Sequence, residues 1–148
     1  MTVATAARVI HFRAFGVPKT QGSMRAIIAR GTGRAIAVHD QGPELRSWRT
    51  LVADAARQAH RGMLDGPLGM TMVFHLPMPT SRPDVLRTPK QRWQWLVPWR
   101  RPDLDKLERA VLDSLTGVLF HDDAQIVVVT KRKSYGAEPG VEVSCEQV

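Results

Sequence analysis

A single cysteine, Cys145, stands in the whole sequence, which excludes an internal disulfide and fits a reducing compartment. Near the C-terminus, within an alternating pattern, it reads as a packed or edge residue rather than a nucleophile. Histidines are few and scattered. His11, His39, His60 and His75 have no Cys or His partner at zinc-ligand spacing, so no zinc site is expected, and His121 reads as a solvated turn residue. Gly31-Thr32-Gly33 lacks a following Lys-Ser/Thr and is therefore a turn, not a phosphate-binding loop. No apolar run is long enough to span a bilayer, and Met1 to Arg13, though rich in alanine, lacks the apolar centre of a signal peptide. A soluble, cytoplasmic protein with no membrane partner is the expectation. Repeats and long low-complexity tracts are absent, and 43% hydrophobic content over 148 residues supports a real core and one domain, 1–148.

Acidic residues are also in short supply, 14 against 21 Lys and Arg, for a net charge of +7. Six of the 14 fall between Asp103 and Asp123: Asp103, Asp105, Glu108, Asp113, Asp122 and Asp123. With Lys106 and Arg109 that stretch has a net charge of −4, so the remainder of the chain stands at +11. A basic body attracts a polyanion through its phosphates. A knot of carboxylates inside it repels phosphate unless a divalent cation lies between, and hard cations such as Mg²⁺ are held by one or two carboxylates plus phosphate oxygens. The combination points to metal-assisted cleavage of nucleic acid. The rival reading is a basic DNA- or RNA-binding module whose aspartates are caps and salt-bridge partners; it would bind equally well in EDTA and leave DNA uncut.

Val9 to Phe15 alternates as a first strand, and Gly16 to Arg25 follows as a basic loop carrying Lys19 and Arg25. Ala26–Ala29 and Ala35–His39 flank Arg30-Gly31-Thr32-Gly33-Arg34 as a hairpin. Pro43 opens a helix to about Arg61, stopped by Gly62, with Leu45, Trp48, Leu51, Val52, Ala55, Ala56 and Ala59 at helical spacing. Leu68 to Leu76 is a strand with Met70, Met72, Phe74 and Leu76 on alternate positions. Asp103 to Leu115 is the second main helix, its stripe made by Leu104, Leu107, Val111, Leu112 and Leu115 and its end marked by Gly117. Ala124 to Lys133 and Val141 to Cys145 close the chain as strands. Strand runs with two main helices predict an α+β fold with a mixed sheet.

Met78 to Pro102 breaks this regularity with prolines at 79, 83, 89, 98 and 102, three tryptophans and six basic residues. It is expected to be a long, mobile loop. Arg92, Trp93, Trp95, Arg100 and Arg101 mix charge with stacking surface, which suits strand backbones and unstacked bases. Lys131, Arg132 and Lys133 alternate around a strand, bordering a DNA channel or forming a solvated edge.

Within the acidic stretch, Asp103 and Asp105 sit where the chain enters a helix, and there two residues two apart can still converge on one ion. Asp103 has an alternative role as an N-cap, and Asp122-Asp123 as a turn. One of that pair could fold back over the helix start. Asp105, Arg109 and Asp113 fall at i, i+4 and i+8 on one face, which makes Asp113 a structural partner of Arg109 rather than a ligand.

Arg101-Pro102-Asp103-Leu104-Asp105-Lys106-Leu107, then Asp113-Ser114-Leu115-Thr116-Gly117, then Asp122-Asp123-Ala124-Gln125-Ile126-Val127 together resemble the RusA family of Holliday junction resolvases. Gly16-Val17-Pro18-Lys19 after the first strand resembles that family's N-terminal segment more loosely. The resemblance implies a homodimeric, Mg²⁺-dependent α+β endonuclease that nicks paired strands at four-way DNA junctions in recombination and repair, often phage-encoded, with Mn²⁺ as an alternative ion. It carries the metal-binding aspartates onto Asp103, Asp105 and Asp123. Where the family's best-known members have a catalytic lysine, this chain has Arg109, which keeps the charge and binds phosphate bidentately but does not readily donate a proton. Other flap or branched DNA substrates remain a nearer alternative. The apolar side of Leu68–Leu76 is one candidate for the dimer interface.

Overall fold

The computed structural model describes residues 7–22, 25–28, 31, 33–38, 42–83 and 85–148. The first alternating segment becomes β1 (Val9–Phe15), with Ile10, Phe12 and Ala14 buried. The hairpin follows as β2 (Arg25–Ile28) and β3 (Ala35–Val38), antiparallel and forming a sheet of their own. Ala29, Arg30, Thr32 and His39 of the expected hairpin, and the side chains of its strands, lie outside the described residues.

Proline at the first position starts α1 (Pro43–Ala59), and the helix ends at His60, two residues before a glycine at φ 81°. The turn signal thus lies just past the last helical residue, where fraying sets the boundary. Leu45, Trp48, Val52 and Ala56 form its buried stripe, and Trp48 is 2% exposed. Truncating a fully packed tryptophan of this kind costs about 3–5 kcal/mol.

The main sheet has the order β1-β6-β4-β5, with β4 (Leu68–Leu76), β5 (Ile126–Tyr135) and β6 (Gly140–Gln147). β6 runs antiparallel to both β1 and β4, while β4 and β5 are parallel. The register lines up Ile10, Cys145 and Met70, then Phe12, Val143 and Met72, then Ala14, Val141 and Phe74. Three apolar rows therefore cross three strands on one face, and the helices cover that face. α1 packs on β1 and on a later helix, α3 (Leu104–Leu115), whose Leu107, Ala110, Val111 and Leu115 join the same core. Burial pushes the Cys145 thiol up to about 11, with the charge of Glu146 adding to it, so this cysteine is a core residue as expected.

Two expectations fail here. The segment after β4 is not a structureless loop: Pro89–Leu96 forms α2, giving three α-helices among the described residues where two main helices were expected. Thr88 accepts from the Gln91 amide while the Gln91 side chain accepts from Thr88, a capping box with proline at the first helical position. The Leu68–Leu76 strand cannot offer a dimer face either. It is an inner strand, and Met70, Met72, Phe74 and Leu76 are spent in the chain's own core.

The other sheet face is polar. Glu142 accepts from His75 at 3.0 Å and lies 3.8 Å from Arg13, and His11 bonds Ser144 at 2.9 Å. The His75 bond holds the Glu142 carboxyl below its ordinary value, with Arg13 and His11 helping and burial opposing.

Candidate functional site

A corner at residues 100–103 launches α3. The Arg101–Pro102 peptide is cis, and Lys133, reaching across from β5, donates to the carbonyls of Arg100 at 2.8 Å and Pro102 at 2.9 Å. Asp103 occupies the N-cap position of α3, yet its side chain makes no capping bond. Its carboxylate lies 3.4 Å from Lys106 instead, both side chains well exposed, a contact of small energetic weight. Burial lowers the Lys133 ammonium below its usual value while the charge of Asp103 pulls it back up. Asp105, in the first turn, is exposed and has no side-chain hydrogen bond or ion pair among the described residues. Two carboxylates thus stand near one helix N-terminus, neither of them capping it and Asp103 held only by the exposed Lys106 contact.

Arg109, one turn beyond Asp105, is also exposed and unpaired among the described residues. The expected Asp113–Arg109 pair does not form. The main-chain carbonyl of Asp113 accepts from Arg49 at 3.4 Å, and its carboxylate acts through space on Asp123.

The Asp122-Asp123-Ala124-Gln125 turn is built by its two outer residues. Asp122 caps a single 3₁₀ turn (Asp123–Gln125) by accepting from the Ala124 amide at 2.9 Å. Gln125 accepts from the amides of His121 at 2.8 Å and Asp122 at 3.1 Å, and donates to the carbonyls of Leu64 and Gly66, both at 3.0 Å. Gly66 sits at φ 78°, a left-handed conformation suited to glycine, which presents that carbonyl. One glutamine therefore bolts the turn to the segment entering β4. Asp122 is committed to the turn by its cap, and the Asp123 carboxyl, exposed like it, is hydrogen-bonded to Asp122. Its pKa is raised, first by the shared hydrogen bond with Asp122, then by burial and by repulsion from Asp122 and Asp113, with the Ala124 amide opposing.

Asp123 consequently sits under the influence of Asp113, not the helix start. Among the described residues no group of three or more His, Cys, Asp or Glu side chains is gathered to hold a metal ion. Oxygen donors of the right kind are present in the Asp103–Asp105 pair. Mg²⁺ keeps several waters and takes one or two carboxylates together with substrate phosphate, so two aspartates are a donor set of the kind it uses.

The expected DNA-contacting side chains divide. Lys131 and Lys133 occupy alternate positions on β5 and are used internally, Lys131 in an ion pair with Glu108 and Lys133 at the corner. Arg132, between them, is exposed. Lys19 lies 3.4 Å from Glu44. Arg92, Arg100 and Arg101 are exposed, Trp95 is half-buried, and the side chains of Arg25 and Trp93 lie outside the described residues. His121 is 3.2 Å from Asp65 rather than free. Gln125 and the corner-holding role of Lys133 were missed from sequence; the Asp-Asp-Ala-Gln spelling of the turn was the available signal for the first.

Residues 18–146 match the family Endodeoxyribonuclease RusA, nearly the whole chain. The chain belongs to the RusA endodeoxyribonuclease family. Over 143 residues it is 32% identical to YqaN of Bacillus subtilis (strain 168), itself an uncharacterized protein, covering 94% of this chain and 96% of that one. Membership agrees with the α+β fold and its mixed four-stranded sheet, and with a chain in which, among the described residues, no helix is long and apolar enough to cross a membrane.

Proposed function

We propose that this RusA-family chain is a divalent-metal-dependent endonuclease that resolves four-way DNA junctions by paired nicking. The observation that carries the reading is the Asp103–Asp105 pair at the start of α3, Asp105 unpaired among the described residues and Asp103 making only an exposed contact with Lys106, in a chain that is +11 outside its acidic stretch. Asp103 and Asp105 hold Mg²⁺ (Mn²⁺ serving as a substitute). Such an ion, when bound there, would supply Lewis-acid chemistry, lowering the pKa of a water and offsetting charge on the scissile phosphate. Arg109 presents a free guanidinium on the next turn and stabilises charge developing on the phosphate oxygens. Asp123 is the third acid of the reading, fixed in place by Gln125. Lys133 holds the corner from which Asp103 projects.

A four-way junction offers two equivalent strands, and each chain has one such acidic stretch, so the active form is a two-fold homodimer. The decisive experiment incubates the protein with synthetic four-way junctions, flaps and duplexes, with Mg²⁺ or EDTA, and resolves the strands on a denaturing gel. Symmetric nicks in junctions with Mg²⁺ are expected. Tight binding without nicks would identify a binding module, and a preference for flaps would place the chain on another branched substrate.

A further inference from the structure

The segment joining β4 to α3 builds a cavity that the cleavage reading does not use. It encloses about 670 Å³, lined by Pro89, Lys90, Gln94, Val97, Trp99 and Arg100. That volume lies within the range of about 300–1,000 Å³ typical of ligand clefts. Trp99 is 60% exposed, although the same fold buries Trp48 to 2% where an indole serves packing. The Arg100 guanidinium lies 4.9 Å from the Trp99 ring centroid. Leu96 and Val97 beside it are 56% and 51% exposed. An uncovered aromatic and aliphatic surface is thus edged by cations. From 85 to 102 the chain carries Arg87, Lys90, Arg92, Arg100 and Arg101 and no acidic residue.

Charge decides the occupant. A second copy of the chain would bring the same five cations against these five across a two-fold interface, an arrangement that like charges oppose. A nucleic-acid strand offers what the surface lacks: phosphates for the cations and a flat π-face for the indole. Position agrees. Arg100 is both a wall of the cavity and, through its carbonyl, part of the Lys133-held corner. Trp99 precedes Asp103 by four residues, at most about 14 Å of chain, the length of about four stacked nucleotides.

We propose that this cavity is a nucleobase pocket. It takes one unstacked base from the strand being cut, within about four nucleotides of the scissile phosphate. The base lies against Trp99, Lys90 and Arg100 hold the flanking phosphates, and the Gln94 amide meets the base edge. The assignment rests on the DNA reading above and deepens it, making an unpaired base at the branch part of what the enzyme recognises.

The test compares oligothymidylate with an abasic oligomer of equal phosphate number, binding being read by tryptophan fluorescence. The parent protein is expected to bind the thymidylate about tenfold more tightly, the effect of one stacked base. Trp99→Ala should remove that preference while leaving abasic binding unchanged, and Trp99→Phe should restore most of it. Since Trp99 is exposed, neither change threatens folding. With four-way junctions, one abasic residue within four nucleotides of the nick should weaken the parent and have no further effect on Trp99→Ala, the non-additivity of two groups in contact. Equal binding of the two oligomers by the parent would overturn the pocket. So would a Trp99→Ala variant that keeps the base preference but falls to monomer mass in light scattering, which would give this face to a second copy. The oligomer comparison needs no cleavage. Absent nicking with a base preference would sink only the nuclease reading, and nicking without a base preference would sink only the pocket.

Discussion

Gln125 is the side chain whose removal the structure makes most quantitative. Its amide makes four hydrogen bonds: two accepted from the amides of His121 and Asp122, two donated to the carbonyls of Leu64 and Gly66. In Gln125→Ala the two amides stand at exposed residues and regain water, so little is lost there. The two carbonyl bonds, one of them part-buried, tie the turn to a segment about 60 residues away in sequence. At about 1 kcal/mol net each, their loss costs about 2 kcal/mol, or about 6–8 °C in Tm for a chain of this size. Gln125→Glu keeps the acceptors but sets a carboxylate oxygen against the same two carbonyls. It should be at least as destabilising at neutral pH and should recover partly in acid, where a protonated Glu donates once. Urea and thermal unfolding measure both. Nicking should fall in both variants more than DNA affinity does, because Asp123 loses its fixed position while the basic surface is untouched. An alanine variant that melts within about 1 °C of the parent, with normal nicking, would refute the view of Gln125 as the bolt of this turn.

The parts of the fold legible in sequence are those where a period meets a single environment. β4 was readable to the residue because Met70, Met72 and Phe74 alternate along a strand packed on one side. The same alternation misled about the dimer. It marks a face as apolar without saying what covers it, and here α1 and α3 do. α2 went unread because prolines and tryptophans dominated the segment's composition, although Thr88-Pro89-Lys90-Gln91 spells a capping box with a helix-starting proline.

The site divides in the same way. That Asp103 and Asp105 share the start of α3 is legible because it depends on spacing within one turn. How Asp122 and Asp123 divide the turn between them is not, because that is set by a capping bond and by Gln125 reaching Leu64 and Gly66. Lys131 and Lys133 looked like a basic edge. Strand parity turns both inward, toward Glu108 and the Arg100–Pro102 corner, and leaves Arg132 as the exposed cation. Positive charge in sequence reports net attraction for a polyanion, whereas only tertiary geometry says which cations are already engaged.

Four further outcomes are expected. Asp103→Asn and Asp105→Asn should each abolish nicking while leaving junction binding intact or tighter, since on the proposed reading each removes a metal ligand and a charge that repels phosphate; near-normal nicking in both would discard the assigned pair. Asp123→Asn should also abolish nicking, and an active Asp123→Asn enzyme would confine the site to the helix start. Light scattering at micromolar concentration should give about twice the 16.5 kDa chain mass, and a monomer mass that persists on junction DNA would exclude the two-fold assembly. Acid stability should depend on Glu142, far from the acidic stretch on the polar sheet face. Its carboxyl is held below its usual value of 4.5, first by the His75 hydrogen bond, so the folded state binds fewer protons there than the unfolded chain. The stabilisation is therefore full above the unfolded value and is lost as pH falls from about 4.5 through the lowered folded value. Glu142→Gln should lower stability at pH 6–7 by an amount that shrinks across that acid window, whereas a constant difference between parent and variant from pH 7 to pH 3 would show that the His75–Glu142 contact carries no charge-dependent part of the stability.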